Sequence, residues 1–325
     1  MNHGDVEVVI PTWNGRNLLG RCLLALEAQE HECRVIVVDN GSHDGTRELL
    51  AERFREVELV ALDRNHGFGP AVNRGLAQGQ APYVVLVNND VECDPGFVRE
   101  IVAPLRDSPK LGMVAGLLLR PGRTVVDSYG LELDRTLSAF PRFAGSAYSG
   151  SAAFHERYLL GPSGGAAAYR REALEAVGAF DEALFAYMED VDLALRLRAA
   201  GWTAAGAPGA VGVHLGSATA GARSRWQVEI GGRSRAYMIR KYGVLRRGLT
   251  VAAWTLAVEA GVTAAECLIA RDLASVRGRR VGWRDGRGNR VHVSDGAVNP
   301  DLGFFESLRR RWAALESGNA TNHPQ

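Results

Sequence analysis

Four short apolar runs alternate with helical segments over the first ninety residues, and this alternation limits the fold more than any other feature. Residues 6–10 form the first run and stop at Pro11. Residues 34–38 lead into Asp39-Asn40-Gly41-Ser42, 57–62 form the third run, and 83–87 lead into Asn88-Asn89-Asp90. The stretches between them, 18–28, 44–53 and 69–78, read as helices. Strands alternating with helices predict βαβ units, hence an α/β fold with a mainly parallel sheet flanked by helices. Such a sheet gathers the carboxyl ends of its strands on one edge, where open α/β proteins bind ligands. The polar loops on that edge are the first place to look for chemistry.

The chain has 325 residues, 46% hydrophobic and 23% charged, the make-up of a soluble globular protein. The formal net charge of +1 hides an asymmetry: residues 223–311 carry 18 Arg or Lys against 8 Asp or Glu. A basic C-terminal third implies an anionic partner for that third. Cys22, Cys33, Cys93 and Cys267 lack metal-ligand spacing and read as reduced thiols of a cytoplasmic protein. The first strand starts too close to Met1 for a signal peptide to precede it. Residues 249–269 are strongly apolar, but Glu259 and Glu266 fall mid-span and argue against a transmembrane helix.

Beyond residue 110 the pattern changes. Residues 111–154 read as short strands with Gly and Pro punctuation, 163–169 as a small-residue run, and 211–214 as a last short strand. Residues 185–200 predict a helix capped by Gly201. Helices are also expected over 233–242 and 249–276, with an Arg/Gly-rich stretch from Gly278 and a disordered tail after Leu315. These readings divide the chain into a catalytic unit (1–220, with halves 1–110 and 111–220), a basic helical region (221–290) and a partly disordered tail (291–325).

Seven motifs occur in order: Val9-Ile-Pro-Thr-Trp-Asn14; Val37-Val-Asp-Asn-Gly-Ser42 with Asp44-Gly45; Arg64-Asn-His-Gly-Phe-Gly69 with Asn73-Arg-Gly75; Asn88-Asn-Asp90; Ser163-Gly-Gly165; Asp181-Glu182; and Glu189-Asp190-Val-Asp192. This series resembles a family 2 glycosyltransferase with the GT-A fold, in its rhamnosyltransferase-like branch. The resemblance covers residues 6–220 and implies a role for each motif. Asp39 would accept a hydrogen bond from the donor's uracil or thymine, whose imide N–H needs an acceptor. Pro11, Thr12 and Asn14 would pack on the nucleoside. Asn65 and Gly67 would bring a helix N-terminus to the diphosphate, with Asn88 and Asn89 completing the donor site.

Asp90 is the implied metal ligand, for Mg²⁺ or Mn²⁺. The family's usual pattern is Asp-x-Asp, and Asn88 stands at its first position, so one carboxylate is missing. His214 is the expected second ligand, a choice that suits Mn²⁺ and permits Mg²⁺. The Glu189-Asp190 pair implies the general base, Asp190, with Glu189 beside it. Acids in a first helical turn are favoured by the helix dipole alone, but three in four residues exceed what capping needs. Mutual repulsion should raise the pKa of Asp190, and Asp192 is the alternative base. Gly164 and Gly165, with Asp192, are assigned to the acceptor and sugar pocket, because glycine lets backbone approach a ligand. Trp13, Tyr187 and Trp202 read as packing residues rather than sugar-stacking ones.

The implied activity is an inverting, metal-dependent transfer of a sugar from a nucleotide-sugar donor, with dTDP-rhamnose favoured over UDP-sugars. The expected acceptor is a hydroxyl of a glycan or a lipid-linked saccharide; a small-molecule aglycone is the alternative. Arg223, Arg225, Arg233, Arg235, Arg240, Lys241, Arg246 and Arg247 flank the apolar helix. Two readings stay open: a peripheral contact with anionic lipid on the inner membrane face, or a subdomain that packs on the body or forms a homodimer. No aromatic stacking pattern supports a nucleic-acid partner.

Overall fold

A computed structural model describes residues 4–150, 154–216, 224–287 and 292–311. Arg223 and the tail after Leu315, both named above, lie outside the described residues. The strands are β1 (Val6–Thr12), β2 (Arg34–Asp39), β3 (Glu58–Ala61), β4 (Tyr83–Val87), β5 (Val91–Cys93), β6 (Leu111–Leu119), β7 (Val126–Ser128), β8 (Leu131–Leu133), β9 (Ala139–Pro141), β10 (Ala166–Arg170) and β11 (Thr203–His214). The α-helices are α1 (Arg16–Glu27), α2 (Thr46–Arg53), α3 (Phe68–Leu76), α4 (Phe97–Asp107), α5 (Arg171–Val177), α6 (Glu189–Ala199), α7 (Arg225–Lys241), α8 (Leu249–Ala270) and α9 (Ala274–Asp285).

The main sheet runs β3-β2-β1-β4-β10-β6-β11-β5, with β7 paired to β6. The pairs β1–β2, β1–β4, β2–β3 and β6–β11 are parallel; β10 is antiparallel to both neighbours, and β5 to β11. With β6–β7 also antiparallel, the sheet is mixed, and β3-β2-β1-β4 form the parallel part that the alternation predicts. All seven residues of β1 are buried, as expected for a strand covered on both faces. Alternate side chains sort to the two faces. Val8, Ile10, Val37, Val85 and Val87 pack under α1 and α4, whereas Val9, Val38, Val84 and Leu86 pack under α3, α5 and α6. Gly75 lets α3 lie close to the sheet: a Cβ there would sit 2.6 Å from Val9 and 2.9 Å from Val38.

Several boundaries differ from the sequence reading: α7 begins at Arg225 rather than at 233, and β11 at Thr203 rather than at 211. The helix expected over 185–200 begins at Glu189, because Tyr187 and Met188 take left-handed backbone angles (φ 66° and 67°) and turn the chain into it. The helix expected over 249–276 breaks at Arg271 (φ 48°) into α8 and α9. The Arg/Gly-rich stretch is helical as far as Asp285, and Gly278 and Gly282 face α7, where any side chain would overlap the Glu229 and Arg233 carbonyls. Residues 304–311 are also helical and pack on the body, with Ser307 Oγ donating to Asp134 (2.5 Å) and Arg310 to Glu132 (2.6 Å).

The C-terminal helices are docked by charge. Lys241, only 3% exposed, lies 2.6 Å from Asp181 and 2.5 Å from Asp192. Arg235 donates to the Thr136 and Leu137 carbonyls and to Glu259. Burial would raise the pKa of Glu259, but Arg235, Arg279 and Arg311 hold it down at about 2. Both acids of α8 thus point inward, Glu266 to Ser275 and Arg279. Its outward stripe is apolar, with Leu249 90%, Leu256 58% and Leu268 78% exposed.

Candidate active site

Strand ends build the donor side. Thr12 pairs with Asp39 across β1 and β2, so both fall on the carboxyl edge, and both are buried, as is Pro11. The Asn14 N–H donates to Ser42 Oγ (2.9 Å), and its Oδ1 accepts from His43 N–H (2.8 Å). Asn40 Nδ2 donates to Asn65 Oδ1 and to the Gly67 carbonyl, both at 3.0 Å. Gly67 (φ 97°) could carry no Cβ, because Phe185 O lies against it. Asn89 Nδ2 donates to Thr12 Oγ1 (2.8 Å), tying the β4 loop to β1.

Asp39 has no exposed side-chain surface. Its Oδ1 accepts from Ser42 N–H (3.0 Å) and its Oδ2 from Arg47 Nε (2.5 Å). Both oxygens hold the turn after β2, and Arg47, 43% exposed, is the half of the pair that faces solvent. The motif reading did not include Arg47. Its signal is its place in the first turn of α2, right after the loop that Asp39 opens.

Asp90 and His214 meet through strand pairing. His214 lies opposite Val91 in the antiparallel β11–β5 pair, and Leu215 N–H donates to the Asp90 carbonyl (2.9 Å). His214 Nε2 lies 3.2 Å from Asp90 Oδ2, while its Nδ1 donates to Asp127 Oδ2 (2.8 Å). Burial would lower the pKa of His214, but the two carboxylates overcome it and raise it to about 10. Asp127 is a second residue the sequence reading missed. It sits on β7, a three-residue strand with no motif around it.

The residues fit a divalent cation. Asp90 Oδ1 and Asn88 Oδ1 are buried and have no partner. A metal-bound histidine commonly gives its other N–H to a carboxylate, as His214 does to Asp127. No group of three or more His, Cys, Asp or Glu able to hold a metal occurs among the described residues. A hard cation here would take Asp90 and His214, with phosphate oxygens and water in its other positions.

Glu189 and Asp190 open α6. Asp190 Oδ2 accepts from Gly164 N–H (3.2 Å) and Oδ1 from its neighbour Val191 N–H (2.7 Å). Burial raises the Asp190 carboxyl above its ordinary value, and these N–H donors offset part of the rise. Burial, then the charge on Asp190, pushes Glu189 up as well, and Glu189 Oε2 has no partner. Gly165 O accepts from Asn88 N–H (3.3 Å). The Gly164–Gly165 pair therefore touches Asp190 on one side and the Asn88–Asp90 loop on the other.

Asp192 does not join them. It is fully buried and held by Arg196 (2.7 Å), Lys241 (2.5 Å) and Tyr242 Oη (2.8 Å). The structure places it beneath α6, away from the pocket assigned to it above, because its position on the helix turns it toward α7. Trp202 is half-buried against the core, whereas Trp13 (39%) and Tyr187 (41%) are exposed, unlike the packing residues they were read as.

Comparison with known proteins agrees with this geometry. The model of Glycosyl transferase family 2 matches residues 7–178. An N-acetylglucosaminyl-diphospho-decaprenol L-rhamnosyltransferase of Mycobacterium tuberculosis is 32% identical over 234 residues, 64% of this chain and 75% of that protein. A mannosyltransferase of Pyrobaculum calidifontis, solved with GDP-Man and Mn²⁺, superposes with a TM-score of 0.52 at 18% identity, covering 98% of this chain and 85% of that one. The structure of GalNAc-T7 with UDP, GalNAc and Mn²⁺ gives 0.60 at 13% identity, covering 96% and 58%. These solved structures show the GT-A fold.

Proposed function

The chain belongs to glycosyl transferase family 2, and from that premise we propose an inverting, metal-dependent transfer of rhamnose from dTDP-rhamnose to a lipid-linked saccharide. One observation carries the reading: Gly164–Gly165 bonds both Asp190 and the loop of Asp90. Donor diphosphate and acceptor hydroxyl would then meet across two residues of backbone. Asp190 takes the proton of the acceptor hydroxyl as that oxygen attacks the anomeric carbon. The carbon–phosphate-oxygen bond breaks on the opposite face, and a single displacement inverts the centre. A bound Mg²⁺ or Mn²⁺ would neutralise charge on the leaving diphosphate. The raised pKa of Asp190 suits a base working near neutrality.

Uracil and thymine share the imide N–H, so UDP-sugars are the alternative donors. An oxygen of Asp39 becomes available to either base when the exposed Arg47 swings out. The lipid-linked acceptor comes from the mycobacterial relative's stated substrate. It also fits α8, whose apolar stripe is flanked by exposed Arg246 and Arg271, a pattern complementary to anionic lipid. Flotation with anionic vesicles should fall on Leu256→Glu; a concentration-dependent dimer without flotation would assign the stripe to a second copy.

The deciding assay offers dTDP-rhamnose and UDP-sugars with Mg²⁺, Mn²⁺ or EDTA and a prenyl-diphosphate-linked saccharide, and reads product anomeric configuration by NMR. Asp190→Asn should cut turnover by roughly 10²–10⁴-fold while donor binding persists. Unchanged turnover in that variant removes Asp190 as the base.

A further inference from the structure

A cavity of about 1040 Å³ opens beside the candidate metal site, between the β7–β9 segment and the helical stretch 304–311. Its walls include Arg120, Arg142, Arg157, Arg309, Arg310 and Arg311. Three acids also line it, but each has a partner. Asp127 bonds His214 and lies 3.7 Å from Arg120, Glu132 bonds Asn299 and Arg310, and Asp301 lies 3.5 Å from Arg157.

Arg142 is the unusual member. It is 2% exposed, and its Nη2 donates to the His155 and Arg157 carbonyls. Its Nη1 is buried and has no partner. Among the described residues no carboxylate lies within ion-pair distance of it. A guanidinium stays charged at any working pH, and a buried charge without a counter-charge is costly. Its ring contact, 5.0 Å from the Phe143 centroid, fixes the fork's orientation without supplying an anion. With Nη2 committed, Nη1 is the donor left for an anion, and guanidinium bonds to phosphate oxygens are among the strong ones.

The cavity's position narrows the anion. Asp127 lines it and also orients His214, whereas Val262 of α8 lines it too. An anion held here would lie near the candidate reaction centre and also reach the apolar helix. We propose that this cavity is the subsite for the diphosphate of a prenyl-diphosphate-linked acceptor, held by Arg142 with Arg120 and Arg157. This rests on the acceptor class proposed above. The donor's own diphosphate is assigned to Asp90, which is linked to Asp127 through His214.

The test begins without turnover. Inorganic pyrophosphate is titrated calorimetrically into the full chain in EDTA. Wild type should bind. Arg142→Gln should weaken binding by at least about tenfold, and Asp90→Asn should leave it unchanged. Arg157 is 68% exposed, so Arg157→Gln keeps the test open if the buried variant misfolds, and it should weaken binding in the same direction. Wild-type-like binding in both variants overturns the proposal. So does loss of binding in Asp90→Asn or competition by dTDP, either of which assigns the pyrophosphate to the donor site. In turnover, Arg157→Gln should raise KM for the prenyl-diphosphate acceptor but not for the same saccharide on an uncharged aglycone, with kcat and donor hydrolysis kept. An equal rise for both acceptors also overturns it. Failure to use any nucleotide-sugar would instead remove the transferase reading and leave the pyrophosphate result standing.

Discussion

The donor loops and the C-terminal third solve the same problem, holding polar groups still, in opposite ways. In the loops, partners lie on neighbouring strand ends: Asn14 to Ser42 is a separation of 28 residues and Asn40 to Asn65 is 25. In the C-terminal third the partners are remote: Lys241 to Asp181 spans 60 residues, Arg235 to Thr136 spans 99 and Arg310 to Glu132 spans 178. The loops use mostly amides and hydroxyls, with one ion pair, Asp39 to Arg47, among them. The C-terminal third uses buried ion pairs that lock helices onto the body. Part of the basic excess is turned inward: Arg235 and Lys241 are buried, and Lys241 braces α6, the helix that carries Asp190.

Removing that support gives the largest expected effect. Lys241→Met leaves buried Asp192 and half-buried Asp181 without their shared cation, and breaking a buried pair in this way costs about 3–5 kcal/mol. Burial would raise the Asp181 carboxyl, but Lys241 and Tyr237 hold it below its ordinary value, so the lysine does bind it in the folded chain. Urea denaturation should show the loss as a lower midpoint. A midpoint within error of wild type would mean that α7 is a passenger, and the contrast between the two regions would fail.

The same contrast governs what was legible in the sequence. The donor loops were legible because each is a short motif at the end of an apolar run. His214 was found by its place at a strand end. Asp127 was not, since only the pairing of β7 with β6, and the neighbouring β11, brings it near. Asp192 was assigned to the pocket because it sits two residues from Asp190. On a helix two residues apart point in different directions, and Lys241, 49 positions further on, decides where Asp192 belongs. The arginines were counted but not placed, because an ion pair across such separations leaves no spacing to read.

Asp127→Asn is the next test and touches the join between the regions. It keeps the shape of the partner to His214 Nδ1 but removes its charge. Loss of such an outer partner typically lowers metal affinity by about 10–100-fold. The Mn²⁺ concentration for half-maximal activity should rise by that factor, with thermal stability in EDTA little changed. An unshifted metal requirement would show that His214 is oriented by its strand alone. The metal site would then belong wholly to the locally built half.

Glu189→Gln gives the smallest effect, and it needs a pH series to be seen. Burial and the charge on Asp190 push the Glu189 carboxyl well above its ordinary value of 4.5. An acid with a raised folded-state pKa keeps its proton longer in the folded chain than in the unfolded one. Between the two values the folded state holds more protons, so stability falls as pH rises through that window. Glutamine cannot ionise and removes this slope. At pH 5 the two proteins should melt together; at pH 8 the variant should melt higher by roughly 2–4 °C. Asp190 is raised too, so a weaker slope should persist in the variant. Parallel profiles would mean that Glu189 ionises as freely as a loop residue. The strained turn at Tyr187–Met188 would then deliver Glu189 and Asp190 to solvent rather than to a buried site, and the rigid mounting supplied by the C-terminal third would have nothing to hold.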